Sequence, residues 1–356
     1  MHTWKAGRTL EHIKQHDETW ELSVGSICRP RAAVYFAERV IEGFIDMQVL
    51  KETHLDFLGP RKIGKVRDIY EQPDRLVLVT TDRHSSFDRI IAHVPHKGQV
   101  LNQISAFWFG KTADIVANHV IAVPDANVTV GRKCNVVPVE AVVRGYITGV
   151  TDTSLWTHYG KGRRDFGNFV LPDGLKKNQR LEQPVFTPST KQDTHDRTMS
   201  PQEIVAEGFA TRELIETIER TALALYKRGA EIARAQGLIL VDTKYEFGLD
   251  DRGALVLIDE IHTPDSSRYW QADSFESRFR AGREPDYFDK EFLRLWFKDH
   301  SDPYKDAVLP EAPVELVEEL SRRYVRMYEQ ITGARFAPAE QPAEPRIAGA
   351  LRAYAP

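Results

Sequence analysis

Cysteine is nearly absent: the 356 residues contain two, Cys28 and Cys134, with no C-x-x-C spacing. This argues against a disulfide framework or a zinc site, and a reducing compartment, the cytoplasm, is expected. The 12 histidines show no metal-ligand spacing, so no structural zinc is expected either. Long apolar runs are also missing. Val136–Val143 is broken by Pro138 and Glu140 and is far too short to span a bilayer, which argues against membrane anchorage. The first residues, MHTWKAGRTLEHIKQHDETWEL, lack the apolar core of a secretory signal. A basic surplus is lacking as well: the formal net charge of −4 argues against a general nucleic-acid binder. No G-x-S-x-G elbow, H-E-x-x-H helix or kinase H-R-D-x-x-x-x-N loop occurs.

What is present is ordinary globular material, 42% hydrophobic and 28% charged, in a chain long enough for one large or two medium domains. Residues 1–52 show no strong periodicity and read as an amino-terminal extension. Strands follow from Ile63 to Thr81, with a turn at Gln72-Pro73-Asp74 before the β-branched run RLVLVTT. A helix is expected around Gln99–Asn118 and an apolar strand over Cys134–Arg144. The Gly-, Pro- and Lys-rich stretch from Gly160 to Ser200 is too long for an idle loop, so it is functional or carries short elements. Ser200-Pro201-Gln202-Glu203 has the pattern of a capping box, and a long helix should run from Thr211 to Gln236, ended by Gly237. Two strands, Leu238–Phe247 and Ala254–Ile261, and helices near Phe288–His300 and Pro313–Thr332 complete the series. The Ala- and Pro-rich tail, 335–356, is expected to be loosely held.

The densest chemistry lies in VDTKYEFGLDDRGALVLIDE. Side chains alternate on a strand, so Asp242, Lys244 and Glu246 share a face. A turn centred on Asp251 and Arg252 would set Lys244 opposite Asp259. Two carboxylates and a lysine suit Mg²⁺ bridging nucleotide phosphates, because this ion takes few protein ligands and keeps phosphate oxygens and waters. Alternation alone favours a cross-strand salt bridge on a solvated face. Gly64-Lys65-Val66-Arg67-Asp68 is a glycine opening a basic strand, which admits a phosphate but equally describes an exposed edge. Asp82-Arg83-His84-Ser85-Ser86-Phe87-Asp88 follows a buried strand and reads as a site or as turn chemistry. A basic loop (Lys161, Arg163, Arg164, Lys176, Lys177, Arg180) ends in Ser189-Thr190-Lys191-Gln192-Asp193-Thr194-His195-Asp196, a mixture fit for an anionic substrate or for solvent. Arg268 in Pro264-Asp265-Ser266-Ser267-Arg268 could clamp a phosphate, or be a surface arginine after a turn.

Taken in order and at their spacings, GKVRDIYE, TDRHSSFD, VVPVEAVVRGYITG, FTPSTKQDTHD, LILVDTKYEFG and LIDEIHTPDSSRYW resemble the SAICAR synthetase (phosphoribosylaminoimidazole-succinocarboxamide synthase) family from about Gly59 to Gly333. The resemblance implies a two-lobed α+β fold similar in outline to kinase and ATP-grasp folds. A β-rich ATP-covering lobe would occupy 53–138, and a substrate and Mg²⁺ lobe 139–334. It also implies a ligase that joins L-aspartate to the carboxylate of carboxyaminoimidazole ribonucleotide (CAIR) at the expense of ATP. Carried over by position, Gly64, Lys65 and Arg67 would face the ATP phosphates. Val139 and Glu140 would belong to the adenine hinge, Val136–Glu140. Glu246 and Asp259 would hold Mg²⁺ with Lys244 beside them. Arg144, Ser267 and Arg268 would grip the ribonucleotide phosphate, while Asp82, Ser85, Asp88, Lys191, Asp193, His195 and Asp196 would shape the CAIR and aspartate pockets. One departure stands out: Thr148-Gly149-Val150 replaces the family's usual T-G-S, removing a hydroxyl that Thr148, Thr151 or Ser154 would have to supply. A kinase-like phosphotransferase lacks its catalytic-loop aspartate here, and a non-catalytic scaffold would have lost charges among Lys65, Glu246, Asp259 and Arg268, all of which are present.

Overall fold

The computed structural model describes residues 48–190, 197–288 and 291–356. Lys191, Asp193, His195 and Asp196 lie outside them, as does the extension before residue 48. The chain runs through β1 (Arg61–Ile63), β2 (Arg67–Glu71), β3 (Arg75–Thr80), β4 (Arg83–Ser86), β5 (Arg89–His93), α1 (Lys97–Thr112), β6 (Val120–Asp125), β7 (Val128–Arg132) and β8 (Asn135–Ile147). After these come α2 (Leu155–Gly160), β9 (Gln179–Phe186), β10 (Ser189–Thr190), α3 (Pro201–Ala206), α4 (Arg212–Ala235), β11 (Leu238–Leu249), β12 (Leu255–Ile258) and β13 (Ser267–Gln271). Four helices close the series: α5 (Ala272–Arg280), α6 (Glu291–His300), α7 (Val314–Thr332) and α8 (Ala343–Leu351).

Alternation along β2 and β3 builds a five-stranded antiparallel sheet in the order β1-β2-β3-β7-β6. Tyr70, Val77, Val79, Val128 and Val130 fill one face, covered by Leu50, Leu55 and Leu58 and by Ala343, Ile347 and Leu351 of α8. The tail is thus not loosely held. Its apolar residues recur every four positions and bury completely at Ile347 and Leu351, so the helix is fixed by packing rather than by composition. The opposite face of the sheet presents Arg67, Ile69 and Leu78 to a cleft.

A second sheet runs β10-β8-β11-β12, with β9 on β8 and β13 on β11. Its main support is α4. Thr211 caps that helix by accepting from the Leu214 N–H, and Ile215, Ile218, Ala222, Leu225, Tyr226 and Ala233 turn inward at helical spacing. Gly229 is required there, since a Cβ would stand 2.3 Å from the His262 ring. The capping box at Ser200 is present, with Ser200 and Glu203 satisfying each other's backbone N–H. Within the 160–200 stretch lie β9 and β10, and its Phe166, Leu171 and Leu181 join Ile147, Leu155 and Tyr159 in a small core. Much of its charge is paired locally, as Lys161 with Asp152, Arg164 with Asp173 and Lys177 with Glu284.

The β11–β12 register differs from the expected one by a single step. Glu246 pairs with Ile258, so the turn centres on Arg252 and Lys244 does not face Asp259 across a ladder. Asp259 instead follows the end of β12 with φ 67°, a left-handed backbone that redirects its side chain.

Candidate functional site

The cleft, of about 590 Å³, is walled by Gly64–Arg67, Ile69 and Leu78 of the first sheet, by His84–Asp88, and by Glu246, Asp259, Glu260 and Asp265. Ile69 and Leu78 are direct cross-strand partners and form its apolar patch. Gly64 stands at a tight turn, its N–H donating to the Arg67 carbonyl at 2.8 Å. The loop is pinned from behind by buried Arg83, which donates to the Gly64 carbonyl at 3.1 Å and pairs with Asp68 at 2.8 Å. Phe87 and Asp88 both have positive φ, as a two-residue hairpin turn demands, which puts Asp88 at the tip, 2.8 Å from Lys65 Nζ. Lys65, Ser85 and Asp88 thus line the cleft.

Arg67 reaches across to Asp259 and, at 3.4 Å, to Glu260. Burial by itself would lower its pKa, but Asp259, Glu260, Glu246 and Asp265 together raise it. Burial, with Asp259 and Asp265 nearby, pushes the Glu260 carboxyl up against the pull of Arg67. Lys244 Nζ lies 2.5 Å from Glu140 and 3.4 Å from Glu246. There, too, desolvation is outweighed by the two carboxylates, and the lysine is held above its ordinary value. The expected trio of Lys244, Glu246 and Asp259 is brought to one region, with Glu140 added. The Glu140 side chain faces Lys244 and accepts from Ser189 at 3.2 Å. Val139 is buried in the main core and turned away from the cleft.

Two residues below the acidic group on β11, Asp242 is gripped by two arginines. Arg268 donates through Nε at 2.8 Å and through its terminal nitrogen, and Arg144 Nη1 stands at 3.4 Å. Burial would raise the Asp242 pKa, but Arg268 and Arg144 hold it below the usual carboxylate range. Arg144 is further fixed by Thr187 Oγ1 at 2.9 Å and the Thr153 carbonyl at 3.3 Å. Ser267 Oγ donates to Thr243 at 2.8 Å. Of the candidate replacement hydroxyls, Thr148 is committed to Asn178 at 2.6 Å. Ser154 instead lies against Gly149, where Arg268 Nη1 also approaches.

Asp82 does not line the cleft. Its carboxylate accepts from the Leu50 and Gly98 N–H groups at 2.8 and 2.9 Å, fastening the segment around Leu50 to α1, and burial pushes its pKa up to about 6. Sequence reading missed a second fastener. Fully buried Lys97 donates to Asp265 at 2.7 Å, and Tyr324 donates to the other oxygen at 2.5 Å. No local pattern marks Lys97, whose partners lie far along the chain.

A mixed α+β scaffold with an acidic cleft beside two arginines gathered on a buried aspartate is the layout of an enzyme that handles phosphate-bearing substrates. Comparison with known proteins narrows the class. The sequence matches the family model for SAICAR synthetase over residues 61–310, and the chain belongs to that family. It is 59% identical over 287 residues to phosphoribosylaminoimidazole-succinocarboxamide synthase of Legionella pneumophila (strain Lens), covering 81% of this chain and 92% of the relative. With the chloroplastic synthase of Arabidopsis thaliana it shares 55% over 304 residues, 84% of this chain and 74% of that one. Among solved structures, SAICAR synthase from Saccharomyces cerevisiae in complex with SAICAR superposes with TM-score 0.70 at 32% identity, covering 81% of this chain and 100% of that one. A SAICAR synthetase solved with ADP gives TM-score 0.59 at 26% identity, covering 78% and 100%.

Proposed function

We propose that this chain ligates L-aspartate to the carboxylate of CAIR, consuming ATP and releasing SAICAR, ADP and phosphate in purine biosynthesis. The observation that carries the reading is the sequence of charges along one face of β11. Asp242 centres an arginine clamp, and Lys244 and Glu246 enter an acidic cluster roughly 7 to 13 Å farther along. A ribonucleotide with a phosphate at one end and a carboxylate at the other spans those two places. Arg144 and Arg268, with Ser267 beside them, would take its phosphate. ATP would lie in the cleft with its base against Ile69 and Leu78 and its phosphates toward Gly64, Lys65 and Arg67. Lys191, Asp193, His195 and Asp196, with Ser85 and Asp88, complete the proposed CAIR and aspartate pockets.

The residues fit Mg²⁺. Glu246 and Asp259 offer hard carboxylate oxygens on the cleft wall. Among the described residues no group of three or more His, Cys, Asp or Glu is set to enclose a metal by itself, so an ion here would be held by two carboxylates and by substrate oxygens. When bound, it would neutralise phosphate charge.

A carboxylate is a poor acyl donor because its leaving group is oxide. Transfer of the ATP γ-phosphoryl to a CAIR carboxylate oxygen gives a mixed anhydride. The aspartate amine then attacks the carbonyl carbon, a proton leaves the nitrogen, and phosphate departs with that oxygen. Lys65, Arg67 and Lys244 position the phosphates and balance their charge. The anhydride also needs protection from water. The same reading treats 53–138 as the ATP-covering lobe, 139–334 as the substrate lobe and 1–52 as an extension, supported by the sheet face that Ile69 and Leu78 present to the cleft. It places the enzyme in the cytoplasm, which suits its few cysteines; among the described residues no helix is long and apolar enough to cross a membrane. The test is isotopic. CAIR labelled with ¹⁸O in its carboxylate should deliver one labelled oxygen to inorganic phosphate. Unlabelled phosphate accompanying labelled amide overturns the carboxylate-phosphorylation route.

A further inference from the structure

A second cavity, of about 780 Å³, shares no lining residue with the cleft. It opens between Arg180–Pro184 of β9, one face of α4 and the start of α5, with Gly145, Tyr146 and Leu238–Leu240 as its floor. Its size falls within the range of small-molecule sites, roughly 300–1,000 Å³. Leu223, Ala230 and Arg234 recur along α4 at the spacing of a single helix face, so the helix wall passes from apolar to cationic. Gly145 has no side chain to obstruct the floor, and a Cβ there would collide with the Tyr226 hydroxyl at 2.0 Å.

Tyr146 is the distinctive element. The residue is 9% exposed and its ring packs edge-on to Trp270 and Phe275, with centroids 5.0 and 5.5 Å away. Its hydroxyl makes no hydrogen bond among the described residues and is not one of the buried polar atoms left without a partner, so it is open to the cavity that Tyr146 lines. Arg180 and Arg234 converge on it from β9 and α4, and neither is engaged in an ion pair among the described residues. Glu182, Glu231 and Glu276 share the rim, but Glu276 also faces Arg280 at 3.9 Å. At the phenol, burial raises the pKa, and the two arginines then act on it more strongly than Glu276 does. The Tyr146 end is therefore cationic, hydrogen-bonding and aromatic at once.

We propose that this cavity binds a small planar aromatic molecule carrying a phosphate group. The ring rests against Leu223, Ile239 and Phe275. The phosphate lies between Arg180 and Arg234 and accepts from the Tyr146 hydroxyl. Phosphate suits the place because two guanidinium forks and a phenol offer donors to several oxygens of one anion.

The test uses the full chain with 1-naphthyl phosphate as the probe, titrated by calorimetry with and without saturating ADP. One probe should bind per chain in both conditions. Arg180→Ala combined with Arg234→Ala should weaken it at least tenfold at an unchanged melting temperature, since both side chains are exposed. Tyr146→Phe should weaken it by about tenfold to a hundredfold, the loss expected for one hydrogen bond to an anion. Displacement of the probe by ADP would place it in the cleft and overturn the proposal, as would wild-type affinity in the double variant. A dimer in sedimentation that Leu223→Trp dissociates would also overturn it, by assigning the cavity to a second copy of the chain.

Discussion

Asp242 and Glu246 stand on the same face of one strand, yet they live in opposite company. Around Asp242, two guanidinium groups face one carboxylate. Around Glu246, the cations Lys244, Arg67 and Lys97 stand among five carboxylates, Glu140, Glu246, Asp259, Glu260 and Asp265. The first group has a surplus of positive charge and the second of negative charge. Buried charge is costly unless compensated, so a surplus kept at a cleft points to a ligand of the opposite sign. The arginine group calls for an anion and the acidic group for a cation. A substrate phosphate and a metal–nucleotide complex would meet those two demands four residues apart.

The sharpest way to break this contrast is to remove charge from the acidic side. Asp259→Asn leaves Arg67 its partner Glu260, so the fold should hold and the melting temperature should barely change. Turnover should nevertheless fall by about 10²–10³-fold, with Mg²⁺ saturation moved to higher concentration. Glu246→Gln should behave alike. A variant that keeps the wild-type rate at limiting Mg²⁺ would remove that residue from the metal site.

On the arginine side the expected loss is smaller and selective. The Arg268 side chain is 42% exposed, whereas that of Arg144 is 11% exposed and also braces Thr187 and the Thr153 carbonyl. Arg268→Lys is therefore the cleaner substitution. A lysine keeps the charge but loses the fork, and the KM for CAIR should rise by about 10–100-fold while that for aspartate stays within about twofold. Equal effects on both substrates would contradict a phosphate clamp.

How much of this was legible in the sequence differs between the same two regions. Asp242, Lys244 and Glu246 were readable as one face because strand alternation is a local rule. Asp259 was placed in the right company for the wrong reason. A one-residue difference in the turn cancels the supposed ladder pairing, and a left-handed backbone at Asp259 restores the proximity. Neither event is written in residue periodicity. Which of Glu140 and Val139 faces Lys244 was not legible, because neighbours on a strand point to opposite faces and only the pairing with β11 shows which one meets it. Lys97 and Tyr324 were invisible, since a buried lysine is defined by a partner far away in the chain. The tail was legible in retrospect: Ala343, Ile347 and Leu351 have helical spacing, but the Pro and Ala around them concealed it.

A third test asks whether a buried carboxylate behaves differently when held by backbone N–H groups rather than by an ion pair. Asp82 is such a group, with its carboxyl raised to about 6 by burial. Its unfolded value is lower, so between the two the folded state binds more protons than the unfolded one. Its contribution is most favourable below about pH 4 and is lost as pH rises through about 6. Relative to Asp82→Asn, wild-type unfolding free energy should therefore decline by about 1–3 kcal/mol between pH 4 and 7. Denaturant unfolding of both proteins at several pH values checks this, and a constant difference would show that Asp82 does not titrate in that window.

The smallest effect is expected at Val150, where the resemblance implies a serine. Val150 is 80% exposed, so its side chain contributes little packing and its replacement should not disturb the fold. The hydroxyl that the family serine would bring has a neighbour already in place. Ser154 Oγ sits against Gly149 on the side where Arg268 approaches, held by the Thr151 N–H at 3.1 Å and the Thr151 hydroxyl at 2.7 Å. If Ser154 supplies the phosphate contact, Val150→Ser adds a redundant donor and should change the KM for CAIR by less than about threefold, whereas Ser154→Ala should raise it by about tenfold, the scale of one hydrogen bond to a charged group. The double variant Val150→Ser with Ser154→Ala then decides between the two positions. Recovery of the wild-type KM would show that either hydroxyl can serve the same anion. A large gain from Val150→Ser alone would mean instead that the pocket lacks a donor and that Ser154 does not replace it.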